Sequence, residues 1–285
     1  MSDLQITAWK RNGHDRLYVN LPNGEAVAWL NRKTGQVTVL REEYRAAAME
    51  ALTGYLPPTA AADPAAPSAS YATPPPLPPL TVEEDLASNR PGAALRAKLA
   101  AEGPGPVKRA SDWLLQRNSE WDSWRKGLAG ERRVGAELQR LAGQGWHVLH
   151  SVPLPRDVDV DHLLIGPGGV FSVNTKHHHG KTVWVGDDSV KVDNGRPQPY
   201  ARKSRAEAKR VRRVLERHCG FEVPVEPVIV FVGVSDLEKV VTLLDVRVYR
   251  EREVAALGPT TGVLSLRQVE QVYEIARHRQ IWANA

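Results

Sequence analysis

Apolar and polar positions alternate along the start of the chain, and Asn-Gly and Thr-Gly turn signals divide this region into short segments. A helical spacing of apolar residues follows over Arg41–Leu52. We therefore predict that residues 1–56 form a small module, an antiparallel four-stranded β-meander packed on one helix. The predicted strands are Leu4–Lys10, Arg16–Leu21, Glu25–Leu30 and Gln36–Leu40.

The next region, residues 57–106, loses this periodicity. From Pro57 to about Leu80 it is rich in proline and alanine and nearly uncharged, so it favours extended polyproline geometry over a packed core. Residues 81–88 and 93–102 carry the patterns of two short helices. We interpret the region as a semi-stiff linker with short helices, and a proline-rich ligand segment is the alternative.

Helical and strand periods alternate over residues 107–285, which predicts an α/β domain with a mixed sheet flanked by helices. The helical patterns cover Ser111–Leu141, Tyr200–His218 and Leu266–Ile281. The main strand patterns are Trp146–Ser151, Val160–Ile165, Val170–Thr175 and the nearly continuous apolar run Pro224–Val234.

Two of these strands form a predicted hairpin that brings polar side chains together. The Gly-Pro-Gly-Gly turn between them sets Ile165 opposite Val170. In that register Asp161 lies opposite Asn174, and Lys176 points to the same face two residues later. The open end of the hairpin therefore collects a carboxylate, an amide and an amine.

These three side chains suit a particular chemistry. Polar groups beside apolar support are costly unless they are paired, metal-bound or functional. Asp161 can bind a hard cation, the Asn174 oxygen can do so more weakly, and Lys176 can orient a water or stabilise negative charge. The set favours metal-assisted hydrolysis of phosphodiesters. The alternative is an Asp–Lys pair that closes a strand end.

The same residues carry a resemblance to a known family. The run DHLLIGPGGVFSVNTK, with Gly130-Glu131 ahead of it, resembles the core of the nuclease-related domain (NERD) family over about Gly127–Gly233. That family belongs to the PD-(D/E)xK superfamily. The resemblance implies a restriction-endonuclease-like mixed sheet and nuclease activity that uses Mg²⁺ or Mn²⁺.

The resemblance also implies roles for individual residues. Asp161 falls on the superfamily's proximal aspartate, Lys176 on its lysine and Glu131 on an acid of the first helix. These three are the candidate catalytic residues. Asp161, Glu131 and Asn174 are the candidate metal ligands, although Asn174 is a departure because a neutral amide ligates a divalent cation less strongly than the expected carboxylate.

Glu131 also stands out by its position in the helical pattern. It shares a stripe with Leu128 and Val134, which face the predicted core. An acid on such a stripe needs a partner. The alternative is a surface acid that pairs with Arg132 or Arg133.

The helix predicted over Tyr200–His218 concentrates positive charge. The net charge of the chain is only +5, but Glu207 and Glu216 are the sole acids among many cations in this helix. We interpret it as a phosphate-contacting surface with little sequence specificity, and a solvated face is the alternative. The candidate nucleic-acid-binding residues are Arg202, Lys203, Arg205, Lys209, Arg210, Arg212 and Arg213.

Other features exclude several classes of protein. The single cysteine, Cys219, excludes an internal disulfide framework and a Cys-rich zinc site. Side chains of His177–His179 alternate across a strand, so no dedicated zinc site is predicted. No apolar run approaches the ~20 residues of a transmembrane helix, and the first residues lack the apolar core of a signal peptide. We therefore expect a cytoplasmic protein without a membrane partner.

Three functional hypotheses follow. The first is a metal-dependent nuclease that acts on DNA, with RNA as a further candidate substrate, in DNA repair, processing or defence. The second is a catalytically weak or inactive nucleic-acid-binding protein that retains the nuclease fold, and Asn174 is its main support. The third is a protein-interaction adaptor that binds a protein partner through residues 1–80. A homo-oligomer is compatible with all three.

Overall fold

The computed structural model divides the chain into two compact units, Met1–Ala69 and Ser70–Ala285. Residues 57–73, 75 and 102–106 of the predicted linker, the first part of the helix predicted over Ser111–Leu141, and Asp157 lie outside the described residues. The described residues are 4–11, 14–22, 24–32, 35, 37–39, 41–55, 74, 76–101, 120–156, 158–240, 242–243 and 245–285.

The first unit is the predicted meander with its helix. The strands pair antiparallel in the order β1-β2-β3-β4, and helix α1 (Arg45–Leu52) packs on β3. Leu17, Val19, Leu30 and Leu52 are buried in its core. Leu17 pairs with Leu30 and Val19 with Ala28, so the alternation of the sequence places this face of the sheet inward. The strands are β1 (Gln5–Arg11), β2 (His14–Asn20), β3 (Ala26–Asn31) and β4 (Val37–Val39).

The second unit is built on a mixed five-stranded sheet, which confirms the predicted fold class. The strand order is β12-β10-β7-β6-β5; the β5–β6–β7 pairs are antiparallel, and β10 pairs parallel with both β7 and β12. The central sheet consists of β5 (His147–Leu154), β6 (Val158–Gly166), β7 (Gly169–His177), β10 (Val225–Val232) and β12 (Arg247–Arg250). A smaller sheet of order β11-β8-β9 contains β8 (Thr182–Val185), β9 (Val190–Val192) and β11 (Asp236–Lys239).

Helices cover both faces of the central sheet. On one face, Val134 and Leu138 of α3 (Glu120–Gln139) pack with Phe171 of β7. On the other face, the apolar stripes of α4 (Tyr200–Cys219) and α5 (Leu266–Ala276) pack with Leu163 and Ile165 of β6. Among the described residues, no helix has both the length and the apolar character needed to cross a membrane.

A segment before the predicted domain boundary also belongs to this unit. Leu86 is fully buried in the core, and the Asp85 carboxylate binds the Arg277 guanidinium after α5. Asn89 Nδ2 donates to the backbone oxygen of His150 in β5 over 3.0 Å, and helix α2 (Ala93–Ala101) packs on α3. The second unit therefore starts well before the boundary predicted near residue 107.

Candidate active site

The candidate site lies where strands β6 and β7 separate. The hairpin register is the predicted one, with Ile165 opposite Val170, but the ladder ends at the pair His162–Val173. Asp161 is therefore one residue beyond the last pair, and it opens a fork between the two strands.

The strand on the other side of β6 is also irregular at this point. The β5–β6 register pairs His150 with His162 and Val152 with Val160, and it omits the pair of Ser151 and Asp161. Ser151 has φ of 48°, a left-handed conformation that non-glycine residues rarely adopt. Its backbone is held by Asn89, whose Nδ2 lies 3.3 Å from the Ser151 oxygen. Such local strain clusters at functional sites.

Asp161 occupies the fork with its carboxylate turned toward β7. Its Oδ2 accepts a hydrogen bond of 2.5 Å from the Thr175 N–H. Desolvation raises the pKa of Asp161, while the Lys176 ammonium and the Thr175 N–H lower it. The Asp161 carboxylate is thus present at the predicted site, and its pKa depends on the Lys176 charge.

Asn174 and Lys176 share the face of β7 that the sequence predicted. The Lys176 ammonium donates to Asn174 Oδ1 and, over 3.0 Å, to the Thr175 oxygen. The other end of the Asn174 amide donates from Nδ2 to Glu207 Oε2 over 2.8 Å. Both ends of the amide are therefore engaged by protein groups, and Asn174 connects Lys176 to Glu207. Its role as a metal ligand stays a prediction.

Glu207 of α4 is the site residue that sequence reasoning missed. It is 6% exposed, and its Oε1 accepts a hydrogen bond of 2.6 Å from Ser172 Oγ. Burial raises its pKa to about 7, and the nearby Asp161 charge adds to this effect while the Ser172 hydrogen bond opposes it. A usable signal was present, since Glu207 adjoins the buried stripe formed by Ser204, Ala208 and Val211.

Glu131 reaches the same group of charges from α3. Gly130 permits close approach of this helix to β7, because a Cβ at that position would lie 3.2 Å from His177 Cβ and 3.3 Å from Thr175 Cγ2. Glu131 is 5% exposed, and its buried Oε2 has no hydrogen-bond partner among the described residues. Burial, and then repulsion from Asp161 and Asp159, raise its pKa to about 9.

The proposed alternative for Glu131, a surface ion pair, is absent. Arg132 and Arg133 are exposed, and within the described part of the chain neither forms a salt bridge with Glu131. Asp159 joins the group as a fourth acid. Its pKa is raised to about 6 by burial and by Asp161.

Asp159, Asp161, Lys176 and Glu207 line an open cavity of about 440 Å³. Asp159, Asp161 and Lys176 lie on the strand side of the cavity, and Glu207 lies on its helix side with the cations of α4. The lining residues that carry charge or a polar group are Asp159, Asp161, Asn174, Lys176, Tyr200, Lys203, Glu207 and Arg210.

The seven cations of α4 that were predicted to bind nucleic acid differ in their surroundings. Lys203 and Arg210, two turns apart, line the cavity on either side of Glu207. Within the described chain, neither of them forms an ion pair. Exposed side chains at helical spacings of seven and four form the neighbouring stripe, which consists of Arg202, Lys209 and Arg213.

Two of the predicted phosphate-binding cations have other partners. Arg205 donates to both carboxylate oxygens of Asp245 over 2.8 Å each and also contacts Asp188. Arg212 is bound by Glu216 over 2.8 Å and by Glu222. Because these ion pairs already satisfy both guanidinium groups, Arg205 and Arg212 serve to anchor the helix.

The histidines belong to other parts of the structure. His162 and His150 lie in a buried pair with a distance of 2.8 Å between their Nδ1 atoms, and desolvation lowers both pKa values, that of His150 to about 4. His177 Nδ1 contacts the Lys126 oxygen at 2.6 Å. These contacts give His150, His162 and His177 partners within the protein.

Within the residues described, no group of three or more His, Cys, Asp or Glu side chains already has the spacing of a metal site. The donor set is nevertheless suited to a divalent cation. The Asp161 carboxylate raises the pKa values of Glu131, Asp159 and Glu207, and Glu131 Oε2 has no hydrogen-bond partner among the described residues. Such an arrangement is stabilised by protons or by a hard cation with oxygen ligands.

Part of the chain is similar to known proteins. Residues 126–232 match the model of the nuclease-related domain, so the resemblance seen in the sequence is confirmed. A protein of Bacillus anthracis, described as uncharacterized, is 36% identical over 64 residues, which cover 21% of this chain and 29% of that protein. The chain therefore spans less than a third of the length of this relative. No solved structure gives a match.

Proposed function

We propose that the protein is a metal-dependent nuclease that hydrolyses phosphodiester bonds in DNA, with RNA as a second substrate class. The observation that carries the proposal is the convergence of Asp161, Lys176 and the buried Glu131 beside a cavity with cations on its opposite side. The match to the nuclease-related domain over residues 126–232 supports the same conclusion.

The acids are the groups that would hold the cation. Asp161 and Glu131 are its proposed ligands, because each carries a destabilised charge that a divalent ion would neutralise. Mg²⁺ or Mn²⁺ bound there would polarise the phosphate and lower the pKa of a bound water.

Lys176 is proposed to act directly on the reacting atoms. Hydrolysis adds water to phosphorus and breaks the bond to a sugar oxygen, so negative charge builds on the phosphate oxygens in the transition state. The Lys176 ammonium lines the cavity and is held by Asn174 Oδ1 and the Thr175 oxygen. A cation preorganised in this way stabilises that charge and orients the attacking water.

The cations of α4 are proposed to hold the substrate. Lys203 and Arg210 are close enough to the acids to bind the phosphates that flank the scissile bond, and Arg202, Lys209 and Arg213 extend the surface outward. Contacts of this kind bind the backbone without reading bases. We therefore propose activity with little sequence preference, in repair, processing or defence.

The test is an incubation of the purified full chain with plasmid, linear and single-stranded DNA at low salt. Mg²⁺, Mn²⁺ or EDTA is added, and Asp161→Ala and Lys176→Ala are run beside Arg267→Ala. Arg267 is an exposed cation on α5, so its removal controls for a general loss of charge. We expect metal-dependent cleavage by the parent and by Arg267→Ala, and at least about a hundredfold loss in the two site variants.

Three results would change the conclusion. DNA binding without cleavage by the parent would favour the hypothesis of an inactive binding protein. No salt-dependent binding of any nucleic acid would favour the hypothesis of an adaptor that acts through residues 1–80. Cleavage that persists in EDTA would argue against the metal.

A further inference from the structure

The amide at position 174 does not stand alone in the fork. Asn174 Nδ2 donates to Glu207 Oε2 over 2.8 Å, and Ser172 Oγ donates to Glu207 Oε1 over 2.6 Å. Both donors come from β7, on the face of the strand that also carries Lys176. The two hydrogen bonds therefore hold a carboxylate from α4 directly against the strand that lacks one.

We propose that Glu207 is the missing acidic group of the site and a ligand of the divalent cation. In this arrangement Asn174 is a positioning residue, which aligns Glu207 through its Nδ2 and Lys176 through its Oδ1. The inference deepens the proposed nuclease function and uses the same cavity. It accounts for the departure at position 174 without loss of the acid.

The location of Glu207 supports a role toward a ligand. Glu207 is one of the residues that line the cavity, together with Asp159 and Asp161. It lies on α4 between Lys203 and Arg210, the two cations without ion pairs to described residues, yet it pairs with neither of them. A carboxylate whose only purpose was to anchor the helix would gain more from these cations than from an amide and a hydroxyl.

A second observation points independently to a cation. Glu131, on the other face of the sheet, is 5% exposed and has a buried oxygen without a hydrogen-bond partner in the described chain. Glu131 and Glu207 both experience repulsion from Asp161 and Asp159, and both are attracted by Lys176. Carboxylates from two helices therefore act on the same charged groups of the sheet, and repulsion among these acids is the situation that a divalent cation relieves.

The decisive variants move the carboxylate between the two positions. Glu207→Gln removes the charge and keeps the shape of the side chain. The double variant Asn174→Asp/Glu207→Gln reverses the donor and the acceptor of the 2.8 Å hydrogen bond and places the charge on β7. Glu238→Gln, at an exposed position of β11 outside the cavity, is the control for charge.

The first measurement is Mn²⁺ binding by calorimetry, without nucleic acid, on the full chain. We expect Glu207→Gln to lower the affinity for Mn²⁺ about tenfold or more, the double variant to recover most of it, and Glu238→Gln to match the parent. The second measurement is metal-dependent DNA cleavage by the same four proteins, which is expected to follow the same order. Circular dichroism establishes that each variant is folded.

The outcomes separate this inference from the proposed function. If Mn²⁺ affinity depends on Glu207 but the parent cleaves no DNA, the ligand role stands and the nuclease function fails. If the parent cleaves DNA and Glu207→Gln binds Mn²⁺ and cleaves as well as the parent, the function stands and the inference is wrong. A double variant that binds Mn²⁺ no better than Glu207→Gln would also contradict the exchange of positions 174 and 207.

Discussion

Glu131 and Glu207 are two buried glutamates that reach the same charges from opposite faces of the central sheet. Both interact with Asp159, Asp161 and Lys176, and both are less than a tenth exposed. They differ in their hydrogen-bond partners. Two side-chain donors hold Glu207, whereas Glu131 Oε2 has no partner within the described chain.

This difference is reflected in the pKa values of the two acids. Burial raises the pKa of Glu207 to about 7 and that of Glu131 to about 9. Side-chain hydrogen bonds from Ser172 and Asn174 stabilise the Glu207 anion, whereas the Glu131 carboxylate has a backbone hydrogen bond from Gly92 and is repelled by Asp161 and Asp159. Glu207 is thus prepared as an anion near neutral pH, and Glu131 depends on a proton or a cation. The α4 side of the site is therefore preorganised by hydrogen bonds, whereas on the α3 side a proton or a bound cation would have the larger stabilising effect.

The largest effect is expected on DNA affinity, and it tests whether α4 or α3 contacts the nucleic acid. Removal of both cavity cations in Lys203→Ala/Arg210→Ala is expected to weaken DNA binding about tenfold to a hundredfold, and to reduce the slope of log affinity against log salt by about 2, since each phosphate contact contributes about 0.9. The measurement is a salt series of binding isotherms in EDTA.

A pair of cations on α3 provides the matched control. Arg132 and Arg133 are exposed next to Glu131. The double variant Arg132→Ala/Arg133→Ala removes the same total charge as Lys203→Ala/Arg210→Ala. This variant is expected to bind DNA as the parent does. Equal losses of DNA affinity in the two double variants would contradict the proposed difference between the two helices, because nucleic acid would then contact both sides of the sheet.

The second prediction concerns the dependence of stability on pH in EDTA. Each glutamate has a folded pKa above its ordinary value of 4.5, so the folded state holds the proton more tightly. The free energy of unfolding therefore falls as pH rises, from about 4.5 to about 7 for Glu207 and to about 9 for Glu131.

Replacement of each glutamate by glutamine should remove its own contribution to the pH dependence of stability. Relative to the parent, Glu207→Gln is expected to flatten the curve only up to about pH 7, whereas Glu131→Gln flattens it up to about pH 9. At pH 9 the Glu131→Gln protein is expected to be more stable than the parent by about 2 kcal/mol, because it no longer buries a poorly paired charge. Urea unfolding at intervals of pH gives the curves, and identical curves for both variants would contradict the difference in preorganisation.

The contrast also explains what could be read from the sequence. The hairpin and its register were predictable because turn chemistry and alternation are local, and Glu131 was recognisable as an acid on an apolar stripe. Glu207 is also an acid beside an apolar stripe, but it lies within a basic run whose dominant feature is its net positive charge. Its partners Ser172 and Asn174 lie 35 and 33 residues away, so only the packed helix reveals the contact.

The early start of the second unit escaped prediction for a similar reason. The segment around Leu86 has low apolar content and follows a proline-rich region, so its own pattern is weak. Its attachment depends on distant partners, and the Asp85–Arg277 pair spans 192 residues. This segment also positions Asn89 against Ser151, beside the irregular pair at Asp161, so part of the site depends on contacts that no local pattern encodes.

The smallest expected effect tests the preorganisation of Glu207 directly. Ser172→Ala removes the 2.6 Å hydrogen bond to Glu207 Oε1 and is expected to lower stability by about 1 kcal/mol at pH 8, where the carboxylate is ionised. The loss should be smaller at pH 5, since loss of the donor raises the pKa of Glu207 further and favours the protonated form. The matched control is Ser204→Ala on α4, because the buried Ser204 Oγ has no hydrogen-bond partner in the described chain and its removal is expected to be neutral or slightly stabilising. Chemical unfolding at the two pH values measures both variants. A Ser172→Ala protein whose stability and Mn²⁺ affinity equal those of Ser204→Ala would mean that Glu207 needs no help from β7, and the distinction between the two acids would then rest on burial alone.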